Sequence, residues 1–248
     1  MTPATVHLVG AGPGDPELLT LRAVRLLGEA QVVVFDRLVG DGVLALINPA
    51  AERFYVGKTK GHHTLPQGAI GELLVARARR GQRVVRLKGG DPGIFGRLAE
   101  ELDALHRAAI PHQVVPGVTA ASACAAALAI PLTHRDRAPQ CVLVTGHRKT
   151  TNPTLDWPAL ACPHQTLVFY MATDSLEAIC RGLTDHGLPP TTPAVGVERG
   201  TLADQRVHWG TVATLGLTLA RQPLKDPALL LVGTVFADGK PPLDHPGG

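Results

Sequence analysis

The sequence predicts an α/β protein of two domains, each built on a largely parallel or mixed sheet. Three observations carry that prediction. Short valine-rich runs recur without polar alternation, segments with helical apolar spacing lie between them, and several runs end in a glycine or proline breaker. A strand buried on both faces reads as a continuous apolar run, and parallel neighbours need a crossover between them.

Taken in order, strands are predicted at 5–10, 31–36, 53–57, 82–87 and 112–115, with helices near 16–29, 67–80, 96–109 and 119–129. Leu18, Leu21, Val24, Arg25 and Leu27 keep the three-to-four spacing of one buried face. The stretch P-L-T-H-R-D-R-A-P at 131–139 breaks the rhythm with two prolines and a charge cluster. A second series follows, with strands at 141–145, 166–170, 194–197 and 228–232 and a helix over 174–186. The expected domains are 1–133 and 134–240, with a Pro- and Gly-rich flexible tail at 241–248.

Bulk properties narrow the function. A chain with 45% apolar and 18% charged residues can bury a core, which excludes a disordered protein. At 4%, aromatic residues are too few for a single-stranded nucleic-acid platform. No apolar run is long enough to cross a bilayer and no signal-peptide pattern opens the chain, so a cytoplasmic protein is expected. Cys124, Cys141, Cys162 and Cys180 form no C-x-x-C pair and read as free thiols. Eleven histidines include no H-E-x-x-H pattern, and no metal is expected. Charge is uneven: residues 53–97 carry ten Lys or Arg against Glu72 and Asp91. Arg77, Arg79 and Arg80 read as a solvated helix face. Arg86, Lys88 and Arg97 flank glycine loops, where cations can meet an anionic ligand.

Those loops hold the chemistry. Strand 5–10 runs into G-A-G-P-G-D-P, which resembles a dinucleotide loop except that Asp15 follows Gly14 and Pro13 removes an N–H. Backbone can approach a ligand here, but a pyrophosphate is poorly served. Asp15 reads equally as a ligand contact or as the cap of a helix beginning near Pro16. A second loop, K-G-G-D-P-G-I-F-G-R, and a third breaker, P-G-V-T-A-A, also follow strands, at the carboxyl edge where open α/β sheets bind ligands.

Together G-A-G-P-G-D-P, V-V-V-F-D-R-L-V, V-G-K, V-V-R-L-K-G-G-D-P, V-V-P-G-V-T-A-A and P-L-T-H-R-D resemble the tetrapyrrole methylases. More narrowly they resemble the branch that C-methylates uroporphyrinogen III, over roughly residues 5 to 236. The resemblance implies the tetrapyrrole methylase fold, with S-adenosyl-L-methionine bound in the cleft between the two domains and S-adenosyl-L-homocysteine as its product. Cofactor contacts carried over fall on Pro13, Gly89, Gly90, Asp91, Ile94, Thr119, Ala120, Met171 and Gly200. Asp91 would pair with either a ribose hydroxyl or the methionine ammonium. Two departures stand out: Ala172 where the family usually has glycine, and Gly93 where it usually has an aromatic residue. The first would crowd the cofactor and the second would loosen one wall.

The implied reaction methylates carbons 2 and 7 of uroporphyrinogen III, giving precorrin-2 through precorrin-1, for sirohaem- or cobalamin-type biosynthesis. Family matching makes Asp36 the proton acceptor and Lys58 the proton donor. On the residues alone Asp36 also reads as a cap or ion pair, and Lys58 as a surface cation. For the polycarboxylate substrate the candidates are Arg37, Arg97, His134, Arg135 and His147, with Arg137 beside them, and Glu100 either to position Arg97 or to take part in proton handling. The resemblance further implies a stand-alone methylase, a homodimer, and no nucleic-acid or membrane partner. Rivals are a methylase of a later corrin or of a macromolecule, a non-catalytic tetrapyrrole binder, and an NAD-dependent oxidoreductase. The last fails on Asp15 and on Asp36, which stands 24 residues after Gly12 yet is followed by a motif of the methylases.

Overall fold

A computed structural model describes residues 2–57, 67–146, 155–221 and 224–239. The chain divides into two compact units, residues 1–120 and 121–248. The sequence placed that division after the alanine-rich helix, at 133/134; the contacts place it before. The helix's start is tied to the second unit, where Ala121 N donates to the Tyr170 hydroxyl at 3.0 Å.

The first unit holds strands β1 (Val6–Gly10), β2 (Val32–Phe35), β3 (Glu52–Tyr55), β4 (Val84–Lys88) and β5 (His112–Val115) in one sheet, ordered β3-β2-β4-β1-β5. Every pairing in it is parallel. Helices α1 (Leu21–Glu29), α2 (Asp41–Leu44), α3 (Gln67–Arg79) and α4 (Leu98–Arg107) make the crossovers. Val9, Val33, Val85 and Leu87 bury one sheet face against Ala23, Leu26 and Leu27 of α1. Val6, Leu8, Val32, Val34 and Val84 bury the other against Ile70 and Leu74 of α3 and Leu105 of α4. This two-sided burial is why the strands lack alternation.

The predicted helix over 16–29 is two pieces. Asp15 caps a 3₁₀ turn at Pro16–Leu18 by accepting from Glu17 N at 2.8 Å, and α1 starts again after Thr20, whose hydroxyl accepts from Ala23 N at 3.2 Å. β1 leads across β4 toward β2, whereas β4 leads across β1 toward β5. Their carboxyl ends therefore diverge at a topological switch point, the place where an open parallel sheet binds its ligand.

The second unit opens one residue into α5 (Ala120–Ala127) and holds β6 (Gln140–Thr145), α6 (Trp157–Leu160), β7 (Gln165–Tyr170), α7 (Leu176–Asp185), β8 (Pro193–Glu198), β9 (Arg206–Thr211), α8 (Val212–Arg221) and β10 (Ala228–Val232). Its sheet runs β6-β7-β10-β8-β9; only β6 and β7 pair in parallel, and the rest are antiparallel. Phe169, Leu230 and Val232 pack on Ile179 and Leu183 of α7 and Leu215 and Leu219 of α8.

Candidate active site

The loops after β1, β4 and β5 are locked together backbone to backbone. Gly12 N donates to Gly90 O at 3.2 Å, and Gly90 N returns a bond to Gly12 O at 2.7 Å. A Cβ on Gly10 would lie 2.6 Å from Gly117 N, and one on Gly117 only 2.3 Å from Gly90 O, so no side chain fits at either position. Asp91 ties two loops at once. Its Oδ2 accepts from Gly117 N at 3.0 Å and its Oδ1 from Gly93 N at 2.8 Å. Gly89 is half-buried against Leu38, and Ile94 N closes the turn onto Asp91 O at 3.2 Å.

Gly90 is different from its neighbours. Its φ is +66°, and a Cβ there would meet nothing closer than Thr119 Cα and Ala120 N at 4.0 Å. Its bare face thus opens beside Thr119 and Ala120, and a flat ligand can slide over the backbone there. Beyond it, Phe95 and Arg97 hold φ values of 50° and 54°, left-handed conformations that side chains adopt at a cost of order 1 kcal/mol each. Such strain concentrates at functional loops. Arg97 reaches Glu100 at 2.8 Å with both side chains about half exposed.

Asp36 follows β2 at the same carboxyl edge. Its Oδ1 accepts from Leu38 N at 3.1 Å and its Oδ2 pairs with Arg86 at 3.1 Å, leaving the side chain 26% exposed. Arg37, next along, is exposed. Arg86 and Lys88 correct the sequence reading: neither faces outward. Alternation along β4 turns both to the same side as Val84, beneath α4, where each is 4% exposed. There Glu101, 1% exposed, accepts from Arg86 Nε at 2.9 Å and from Lys88 Nζ at 2.7 Å. Burial pushes the Lys88 ammonium below its usual range, with Glu101 opposing. Glu101 was missed, although its place four residues before buried Leu105 marks it as an inward position of α4. Pro13 is half-buried in the first loop.

In the second unit Met171 follows β7 with φ 53° and 48% exposure. Gly200 follows β8 between Arg199 (φ 48°) and Thr201 (φ 70°). A Cβ on Gly200 would come within 2.3 Å of Cys124 Sγ. Burial pushes that thiol up to about 12, so Cys124 is a packing residue rather than a nucleophile. Ala172 is 1% exposed and belongs to the unit's hydrophobic core, so its methyl group is spent on packing rather than turned outward. His134 closes a tight turn: its N donates to Ala138 O at 2.8 Å and its Nδ1 accepts from Asp136 N at 3.2 Å. Arg135 is exposed on that turn, and Arg137 is paired with Asp238. Lys58 and His147 lie outside the described residues. Among the described residues no group of His, Cys, Asp and Glu could hold a metal ion, and no helix is long and apolar enough to cross a membrane.

Residues 5–216 match the family model of the Tetrapyrrole (Corrin/Porphyrin) Methylases. The chain belongs to that family. This tetrapyrrole methylase is 55% identical over 93% of its length to the siroheme synthase of Nitrosomonas europaea, and 53% identical over 93% to that of Methylococcus capsulatus. It spans about half the length of these relatives, 48% and 49% respectively. Among solved structures, uroporphyrin III C-methyl transferase from Thermus thermophilus, complexed with S-adenyl homocysteine, is similar with a TM-score of 0.79. The two are 40% identical, over 94% of this chain and 99% of that one. A cobalt precorrin-4 methyltransferase superposes with a TM-score of 0.84 at 29% identity, covering 93% of this methylase and 95% of that chain.

Proposed function

We propose that the chain is an S-adenosyl-L-methionine-dependent C-methyltransferase that methylates uroporphyrinogen III at carbons 2 and 7, giving precorrin-2 through precorrin-1. The observation that carries it is the interlocking of three glycine loops at the switch point, with Gly90 open and Asp36 on the same sheet edge. Likeness to a uroporphyrin III C-methyl transferase over 99% of that chain supports the substrate.

The loops fit the cofactor's chemistry. Their polar groups are backbone N–H and C=O and one accepting carboxylate, Asp91, which suit an amino acid and a ribose better than a pyrophosphate. When bound, S-adenosyl-L-methionine supplies a methyl group already activated on a sulfonium. The chain's own work is then alignment, worth up to about 7–11 kcal/mol where geometry is fixed, and proton handling. Gly89, Gly90, Asp91, Ile94, Thr119 and Ala120 bear the cofactor in the first unit, with Pro13; Met171 and Gly200 do so in the second. Asp36, held by Arg86 and Leu38 N, accepts the proton lost as the pyrrole ring rearranges. Lys58 is the proton donor. Arg37, Arg97, His134, Arg135 and His147 orient substrate carboxylates, with Glu100 steadying Arg97. The protein works as a cytoplasmic homodimer, and its product feeds sirohaem formation, in line with the names of its longer relatives.

The test is anaerobic incubation with uroporphyrinogen III and methyl-labelled cofactor, read by mass spectrometry. A gain of two methyl groups is expected, and Asp36→Ala should slow it by about 10²-fold or more. No gain, with S-adenosyl-L-homocysteine still binding by calorimetry, would move the acceptor to a later corrin; no binding would remove the cofactor assignment too.

A further inference from the structure

We infer that Glu101 is a positioning residue for Asp36, acting through the Arg86 guanidinium that it clamps from below. The inference rests on the reading of Asp36 as the proton acceptor.

Four charged side chains form one chain of contacts in the first unit: Asp36 to Arg86 at 3.1 Å, Arg86 to Glu101 at 2.9 Å, and Glu101 to Lys88 at 2.7 Å. Two cations balance two carboxylates. Arg86 has almost no freedom left. Its Nε–H goes to Glu101, one terminal nitrogen donates to Val34 O at 3.3 Å and Leu87 O at 2.8 Å, and the other donates to Asp36. Side-chain exposures along the chain are 26% for Asp36, 4% for Arg86, 0% for Glu101 and 5% for Lys88. The network is closed everywhere except at Asp36, so whatever it fixes is delivered at that carboxylate.

Stability does not explain the arrangement. A buried ion cluster usually contributes no more than apolar packing of the same volume, because desolvation offsets the attraction. Orientation does explain it. With Oδ1 on Leu38 N and Oδ2 on Arg86, both oxygens of Asp36 are held and the carboxylate is fixed in orientation, and a base must be held to within about 0.5 Å to work. An arginine held only by strand carbonyls would rock about its Nε. Glu101 removes that motion, and Lys88 Nζ holds the other oxygen of Glu101 in place by donating to it.

The test uses the full-length protein and two variants, Glu101→Leu and the charge-balanced Glu101→Leu/Lys88→Met, which leaves the Arg86–Asp36 pair neutral and carries the test if the single variant does not fold. Each is compared with wild type for kcat and KM toward uroporphyrinogen III, and for S-adenosyl-L-homocysteine affinity by calorimetry. Each change is also made in an Asp36→Asn background. The expected result is a kcat loss of tenfold or more, with KM and cofactor affinity within about threefold, and a further loss under twofold once Asp36 is Asn. Additive losses in the Asp36→Asn background, or a kcat within twofold of wild type, would overturn the inference. A crystal structure of the variant separates this outcome from failure of the proposed function. An unchanged Asp36–Arg86 pair overturns the positioning role whatever the activity, whereas wild-type protein that gains no methyl groups overturns the reading of Asp36.

Discussion

His7 shows how a single side chain can set a pH limit. It lies half-buried in β1, and its Nδ1 has no hydrogen-bond partner among the described residues. Burial lowers its pKa from 6.5, Arg25 and Arg22 lower it further, and Glu29 opposes them. The unfolded chain therefore binds this proton more readily than the folded one in the window from 6.5 down to the lowered value. Within that window stability falls as pH falls. Thermal melts between pH 7.5 and pH 5.5 should show the wild type losing more of its melting temperature than His7→Leu. An equal loss in both would mean that His7 plays no part. Arg86 and Lys88 make the complementary point: charged residues beside a glycine loop can belong to the interior, given a buried carboxylate within reach.

Elements meet in this protein through glycine, and the sign of a substitution depends on what surrounds it. Gly117→Ala would place a methyl carbon 2.3 Å from Gly90 O, against backbone that cannot turn aside. The expected loss is at least about 1–3 kcal/mol, together with weakened S-adenosyl-L-homocysteine binding, since the Gly12–Gly90 bridge would have to shift. Gly28→Ala is the same change in α1, where nothing lies within 4 Å. It should stabilise by about 0.5–1 kcal/mol through helix propensity alone. Chemical denaturation of both variants checks the pair. Gly216 of α8 stands between these cases: a Cβ there would meet Cys180 at 3.4 Å, an ordinary contact between α8 and α7.

The whole chain is two units, each with its own five-stranded sheet. A two-unit chain need not melt in one step, so its melting temperature is operational. A ligand that binds only the folded state still raises it. With S-adenosyl-L-homocysteine at 100 times its Kd the gain is about 2.7 kcal/mol, or roughly 5–10 °C for a chain of this length. Gly117→Ala should lose most of that shift in a fluorescence melt. A full shift in the variant would place the ligand away from the three loops.

The sequence alone determined the α/β class, the places of the first five strands along the chain and the three loops, because fully buried parallel strands leave unbroken apolar runs and their turns need glycine. It determined the family as well, since long motifs in fixed order survive where single residues are ambiguous. Tertiary structure decided the rest. β9 and α8 escaped the pattern because Arg206-Val-His-Trp-Gly-Thr is an edge strand paired only with β8, and because α8 carries Gly216, Thr214 and Thr218 yet folds by packing on α7. The division at 120/121 rests on contacts of α5 that no composition shift announces. Above all, only the fold brings residues 36, 86, 88 and 101 together. They come from two strand ends and a helix, and a buried charge declares itself only when the partner that neutralises it is seen.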